Sequence, residues 1–148
     1  FDEYPIHSRH IREFIKDGNI KKANSFLGKE YKIYGTAIKG QGLGKSDFVP
    51  TINLRIDDFL LPKDGVYISK TTIDSIEYNS VSFIGNRKTT DDTFAIETHI
   101  LDKSIDFNNL NISIKFIERI RDNKKFNDFI ELKNEILNDI DTAKKYFY

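Results

Sequence analysis

The chain contains no cysteine and no methionine. Without cysteine there is no disulfide framework, no thiolate metal site and no cysteine nucleophile, a pattern that fits a cytoplasmic protein. Lysine plus arginine and aspartate plus glutamate both total 23, so the formal net charge is zero. That balance removes the electrostatic case for nucleic acid or an anionic membrane as the main partner. No apolar run approaches the roughly 20 residues that a membrane-spanning helix needs, and no signal peptide is visible. His99 has no second His or Cys at ligand spacing, so no zinc site is expected.

The remaining composition points to one folded domain. The 148 residues are 39% hydrophobic and 31% charged, which suits a single buried core and argues against disorder. The chain starts at Phe1 and lacks methionine, so we expect a domain trimmed from a longer polypeptide. No internal repeat or low-complexity segment appears.

Residues 8–17 (SRHIREFIKD) carry Ile11, Phe14 and Ile15 at helical spacing, with Gly18 as a stop. Residues 19–27 repeat the pattern with Ile20, Ala23 and Leu27, and Gly28 follows. From Tyr31 the period changes to two: Tyr31, Ile33, Gly35 and Ala37 share one face, and Lys32, Tyr34, Thr36 and Ile38 share the other. Further strands are expected over 51–56, 66–73, 78–84, 94–101 and 112–120, with turn signals at 62–65, 74–75, 85–86 and 106–109. Six short strands with no helix between them imply an antiparallel barrel or sandwich. Residues 127–148 return to helical spacing, with Phe129, Leu132, Ile136, Ile140, Ala143 and Phe147 as an apolar stripe. Asp128 near its start and Lys144 and Lys145 near its end suit the helix dipole. This helix should pack on the barrel.

Four places carry candidate chemistry. The stretch GQGLGKSDFVPTINL (40–54) places Gly40, Gly42 and Gly44 ahead of Lys45 and Ser46. It is not a Walker A loop: position 39 is Lys where that motif needs Gly, and Pro50 with a β-pattern follows where it needs a helix. A glycine-rich loop between strands can still offer backbone N–H groups to phosphate, or be a plain hairpin loop. Thr51 and Asn53, two apart on a strand, share a face, and their hydroxyl and amide oxygens suit Mg²⁺ or phosphate; a polar strand edge is the plainer reading. Glu97 shares a face with Ala95, His99 and Leu101, so it is expected to be a partly desolvated carboxylate of the kind that serves as a general base, or else an exposed strand residue. Arg119 and Arg121 should lie on one face of the last strand, where they could meet an anionic or planar ligand or remain solvated.

In order along the chain, these pieces resemble the riboflavin kinase family, which in bacteria forms the C-terminal module of bifunctional riboflavin kinase/FAD synthetases. The glycine loop leads into PTIN (50–53), similar to the family's PTAN; PKDGVY (62–67), FIGNRKT (83–89), ETHILD (97–102), ERIRDNKKF (118–126) and a closing helix with Ile136 and Asp139 follow. SRHIREFI (8–15) resembles the last motif of the preceding adenylyltransferase module. The resemblance implies a mainly β fold, a six-stranded antiparallel Greek-key barrel with short N-terminal helices and a long C-terminal helix. Residues 29–148 would form the barrel and helix. Residues 1–28 would be a helical remnant of a covalently linked N-terminal FMN adenylyltransferase domain. It implies transfer of the ATP γ-phosphoryl group to the ribityl 5′-hydroxyl of riboflavin, giving FMN. Gly40, Gly42 and Gly44 would let backbone approach the phosphates, and Lys45 would add charge. Thr51 and Asn53 would hold Mg²⁺ and phosphate oxygens, Glu97 would deprotonate the hydroxyl, and Arg121 would contact the isoalloxazine.

The chain departs from the family pattern at several positions. Asp47 and Phe48 stand where the family has Leu-Gly, Lys88-Thr89 where it has Pro-Thr, and Arg121-Asp122 where it has Arg-Pro. FNNLN (107–111) lacks the family's Tyr-Gly. Asp47, Phe48 and Lys88 motivate a second reading, a kinase-inactive flavin- or nucleotide-binding module that supports or regulates an FAD synthetase domain. A third reading, an oligonucleotide-binding barrel, draws on 12 Phe and 7 Tyr that could stack bases, but the zero net charge opposes it.

Overall fold

The computed structural model describes residues 4–38, 50–56, 59–103 and 111–148. Its elements are α1 (Tyr4–Asp17), α2 (Ile20–Leu27), β1 (Tyr31–Ile38), β2 (Ile52–Ile56), β3 (Gly65–Ile73), β4 (Ile76–Asn86), β5 (Phe94–Ile100), β6 (Asn111–Arg121) and α3 (Phe129–Phe147). The strands close into a barrel in the order β1-β2-β5-β4-β3-β6, and every neighbouring pair is antiparallel. β3, β4 and β5 follow one another as hairpins while β2 returns beside β5, which is a Greek key.

α1 begins at Tyr4, earlier than the apolar spacing indicates, with Pro5 in the first turn, where a missing N–H costs no helical bond. It ends at Gly18, whose φ of +82° lets Asn19 N–H bond back to the Phe14 carbonyl at 2.8 Å. Asn19 then caps α2, accepting from Lys22 N–H. α2 packs on the barrel: Ile20 joins the barrel core, Ala23 is fully buried, and the Asn24 amide bridges the Phe116 carbonyl of β6 and the Tyr31 N–H of β1 at 2.8 Å each.

Alternation along the strands divides inside from outside. Ile33, Ala37, Leu54, Tyr67, Ile84, Ile96, Ile112, Ile114 and Phe116 fill the interior. Burying each isoleucine contributes about 1.5–3 kcal/mol. The interior also holds five hydroxyls in a closed ring: Ser69–Ser80 2.8 Å, Ser80–Thr71 2.8 Å, Thr71–Thr98 2.8 Å, Thr98–Ser82 3.0 Å and Ser82–Ser69 2.7 Å. Each hydroxyl has two ring neighbours, so each can donate once and accept once, and no buried oxygen is left without a partner.

Outside, α3 covers β3, β4 and β6 with Ile140, Ala143 and Phe147 against Val66, Ile68, Val81, Phe83 and Ile117. Asp128 caps it, accepting from Glu131 N–H at 2.9 Å. The buried line runs along the expected stripe from Leu132 onward, whereas Phe129 is exposed. The most buried polar residue on this helix is Asp139, 3% exposed.

Two expectations about turns and faces change. Residues 85–86 belong to β4, because Gly85 (φ +144°) pairs with Ala95 and Asn86 with Phe94; the reversal falls after them. Arg119 and Arg121 do not share a neighbourhood. Tyr67 pairs with Arg119 but Val66 pairs with Arg121, so Ile120 is an extra residue at a bulge. Arg119 turns toward the barrel end, beside Tyr67 and Gly65, while Arg121 turns to α3. The expected loop turn at 106–109 lies outside the described residues.

Candidate active site

Leu54, Ile96 and Thr98 point into the barrel, so alternation sends Asn53 and Glu97 to the outer face. These two residues are direct cross-strand partners in the β2–β5 pair. Asn53 is 9% exposed, while the Glu97 side chain remains 21% exposed. Thr51 is exposed and stands just before β2, two residues from Asn53.

Glu97 stands opposite apolar Phe83 of β4 as well as Asn53 of β2, and a cation joins it. Arg87, in the loop after β4, lies against it and links it to Asn53. Arg87 Nε donates to Glu97 Oε2 at 3.0 Å, and Nη2 donates to Asn53 Oδ1 at 2.6 Å. Nη1 donates to Thr93 Oγ1 at 3.0 Å and to Asp91 Oδ2 at 3.2 Å. A guanidinium can make these bonds together because its donors are fixed in one plane. The nearness of a donor also sets the Asn53 amide: its oxygen faces Arg87, and its NH₂ faces away. Glu97 Oε1 bonds no described residue.

The loop carrying Arg87 is well braced. Arg87 N–H donates to the Thr93 carbonyl at 2.9 Å, and the Arg87 carbonyl accepts from Asp92 N–H at 2.9 Å and Thr90 N–H at 3.1 Å. Asp92 takes the left-handed turn, with φ +57°. Asp91 accepts from the Thr93 N–H and hydroxyl, and these bonds, with Arg87, hold its carboxyl below the ordinary range.

His99, on the same face as Glu97, ties down the entrance to β2. Its Nδ1 lies 2.7 Å from the Pro50 carbonyl, so Nδ1 carries the proton and donates it. Burial pushes this imidazole below its ordinary pKa.

Arg121 joins none of these residues. Its Nε and Nη2 each bond Asp139 at 2.8 Å, Glu135 lies 3.5 Å away, and its guanidinium carbon sits 5.7 Å from the centre of the Phe126 ring. Gly40, Gly42, Gly44 and Lys45 lie outside the described residues, as do Asp47 and Phe48.

The structure thus brings Asn53 and Glu97 together and adds Arg87, Asp91 and Thr93, which sequence reasoning did not select. The signal for Arg87 was its place just after a strand paired with β5. Only the register, Asn86 opposite Phe94, puts it within reach of Glu97.

A family model described as riboflavin kinase (flavokinase) matches residues 27–147. The chain belongs to the riboflavin kinase family. It is 34% identical over 148 residues to the bifunctional riboflavin kinase/FMN adenylyltransferase of Haemophilus influenzae, covering 99% of this chain and 48% of that protein. The protein of the same name from Bacillus subtilis is 32% identical over 147 residues, covering 96% and 46%. The chain therefore spans about half the length of the curated relatives it matches. A crystal structure described as a macrolide-efflux protein from Streptococcus pneumoniae superposes with a TM-score of 0.84 at 29% identity, covering 93% of this chain and 46% of that one. Among the described residues no helix is long and apolar enough to cross a membrane, and the efflux description stays with that protein. Riboflavin kinase from Trypanosoma brucei, at TM-score 0.53 and 19% identity over 78% of each chain, shows the fold alone.

For a riboflavin kinase domain, the donor set can be tested against the Mg²⁺ that kinases generally use. The Thr51 hydroxyl and the second lone pair of Asn53 Oδ1 are hard oxygen donors of the right kind. Among the described residues no group of three or more His, Cys, Asp or Glu could hold a metal alone. The residues fit an ion that arrives with nucleotide phosphates, whose oxygens and waters complete its shell.

Proposed function

We propose that this chain transfers the γ-phosphoryl group of ATP to the 5′-hydroxyl of riboflavin, giving FMN and ADP. The observation behind this reading is the Asn53–Glu97 pair: a carboxylate held through one oxygen, the other bonded by no described residue, beside the amide that closes PTIN.

Glu97 Oε1 takes the proton of the ribityl hydroxyl as that oxygen bonds to the γ-phosphorus and the bond to the ADP oxygen breaks. Asn53 and Thr51 orient the phosphate end of the nucleotide, and the family resemblance gives Gly40, Gly42, Gly44 and Lys45 the task of binding its phosphates. Mg²⁺, when bound through Thr51 and Asn53, neutralises phosphate charge. Phosphoryl transfer needs chiefly position and charge balance, so a loop, these oxygens and one carboxylate suffice. The N–H edge of Arg121 is engaged by Asp139, so it would offer a flavin ring its face rather than its edge. A linked FMN adenylyltransferase domain would use the FMN, in the cytoplasm. No feature of the described residues favours the kinase-inactive reading, and Lys88, one of the departures behind it, is exposed.

The test is to incubate the protein with riboflavin, ATP and Mg²⁺ and separate the flavins by chromatography. FMN should form, and Glu97→Gln should slow it by about 10²–10⁴-fold, as loss of a general base does. Full activity in Glu97→Gln would overturn the base assignment. Flavin binding without FMN from the parent protein would overturn the kinase reading.

A further inference from the structure

We infer that Arg87 is a positioning residue for phosphoryl transfer, a fixed cation that sets the geometry of Glu97 and Asn53 before any ligand arrives. The inference rests on the kinase reading above and assigns a role to a side chain outside PTIN and ETHILD.

Three observations carry it. A single guanidinium bonds both residues expected to do chemistry, Glu97 at 3.0 Å and Asn53 at 2.6 Å. The guanidinium is itself held from behind by Asp91 and Thr93, in a loop whose backbone closes on Arg87. A braced cation of this sort loses little entropy when it orients a neighbour. Finally, the Arg87 bond falls on one Glu97 oxygen only. Oε2 is anchored and Oε1 is left to face the hydroxyl, which is how a base should be presented.

The arrangement also answers a charge problem. Glu97 has to work beside the phosphates of a nucleotide, which repel a carboxylate. Arg87 offsets that repulsion at contact distance, and Asp91 keeps Arg87 from being drawn to the phosphates instead. Asp91 is the second positioning residue, acting through Arg87.

Lysine cannot replace this arginine, because one ammonium cannot reach Glu97, Asn53 and Asp91 in their observed directions. Arg87→Lys should therefore lower kcat by about 10²-fold, the loss expected when a reacting group is displaced by about 1 Å, with KM for ATP and riboflavin changed less than about threefold. Arg87→Ala should lose at least as much, and added guanidinium ion should restore part of its kcat. The same additive should not restore Glu97→Gln. Asp91→Asn, which keeps the shape of the loop, should show a smaller fall of about tenfold, again in kcat. Circular dichroism and thermal melts identify any variant that does not fold, and Arg87→Lys and Asp91→Asn then stand as the conservative tests.

Full kcat in Arg87→Lys would show that charge alone is needed and overturn the inference. A loss confined to KM for ATP would make Arg87 a nucleotide contact and overturn it as well. Absence of FMN from the parent protein would strike the kinase reading itself, whereas an active parent with unaffected Arg87 variants strikes only this inference.

Discussion

Two arginines in this barrel look alike and differ in what they leave available. The side chains of Arg87 and Arg121 are each 17% exposed, and each is bound to two carboxylates. Arg121 grips Asp139 with two parallel bonds that take both carboxylate oxygens, and the Asp139 side chain is 4% exposed. Arg87 takes one oxygen of Glu97, whose side chain is 21% exposed, and spreads its other donors to Asn53, Thr93 and Asp91. The closed pair fastens α3 to β6, and the open one leaves an acceptor that no described residue bonds. On the proposed reading, Glu97 is held but not used up, and Asp139 is used up.

The sharpest way to break that comparison is to remove the acid from each pair. Asp139→Ala takes away the two-bond partner of Arg121 and leaves it Glu135 at 3.5 Å as its remaining carboxylate, so it should cost about 3 kcal/mol of stability, the low end for a broken buried pair. At this chain size that is on the order of a 10 °C fall in Tm. Burial pushes the Asp139 carboxyl above its ordinary range and the Arg121 fork opposes that push, so the pair stands or falls together. Glu97→Gln, by contrast, should lose FMN formation while Tm moves by no more than about 2–4 °C, because its site is partly solvated. Equal loss of stability in the two variants would erase the distinction.

That difference was only partly legible in the chain. The strands could be read because alternation is a local property: Ile33 and Ala37, or Ile112, Ile114 and Phe116, mark the buried face without knowledge of neighbours. Asn53 and Glu97 stood out locally only as two polar residues on strands, and their expected roles came from the family resemblance of PTIN and ETHILD. Arg87 did not stand out, because its role depends on the register between β4 and β5. The shared face expected for Arg119 and Arg121 failed for a related reason. A bulge at Ile120 adds a residue to one strand only, and period-two counting cannot detect it. Residues 85–86 looked like a turn because glycine and asparagine favour turns, yet pairing with Ala95 and Phe94 keeps them in the sheet.

The inner face of β5 offers a milder test of the same contrast. Thr98 sits between Glu97 and His99 but points inward, closing the hydroxyl ring through Thr71 and Ser82. Nothing there is left open. Thr98→Val keeps the shape, opens the ring and leaves two neighbours each short of a partner, so it should cost about 1–3 kcal/mol. Its effect on FMN formation should be smaller than that of Glu97→Gln. Urea melts would show a lowered midpoint with an unchanged slope. An unchanged midpoint would mean that the ring contributes nothing to stability.

The smallest effect is one of pH, and it falls on the outer face. Folding lowers the His99 pKa below 6.5, mainly by burial, with Lys144 also lowering it and Asp102 and the Pro50 carbonyl bond opposing. The unfolded chain therefore holds this proton more tightly, so the stabilisation is present above pH 6.5 and is lost as pH falls through that value toward the folded one. The depressed carboxyls of Glu77, Asp91 and Asp102 have ordinary values between 3.8 and 4.5, so their losses begin at lower pH. Between pH 7.5 and 5.5 the parent protein should therefore lose stability, steadily and in the acid direction. His99→Asn keeps a donor for Pro50 without titrating there, so its stability should be flat across the same interval. A parallel loss in the variant would assign the acid sensitivity to another group, and β2 would then be anchored independently of the proton on His99.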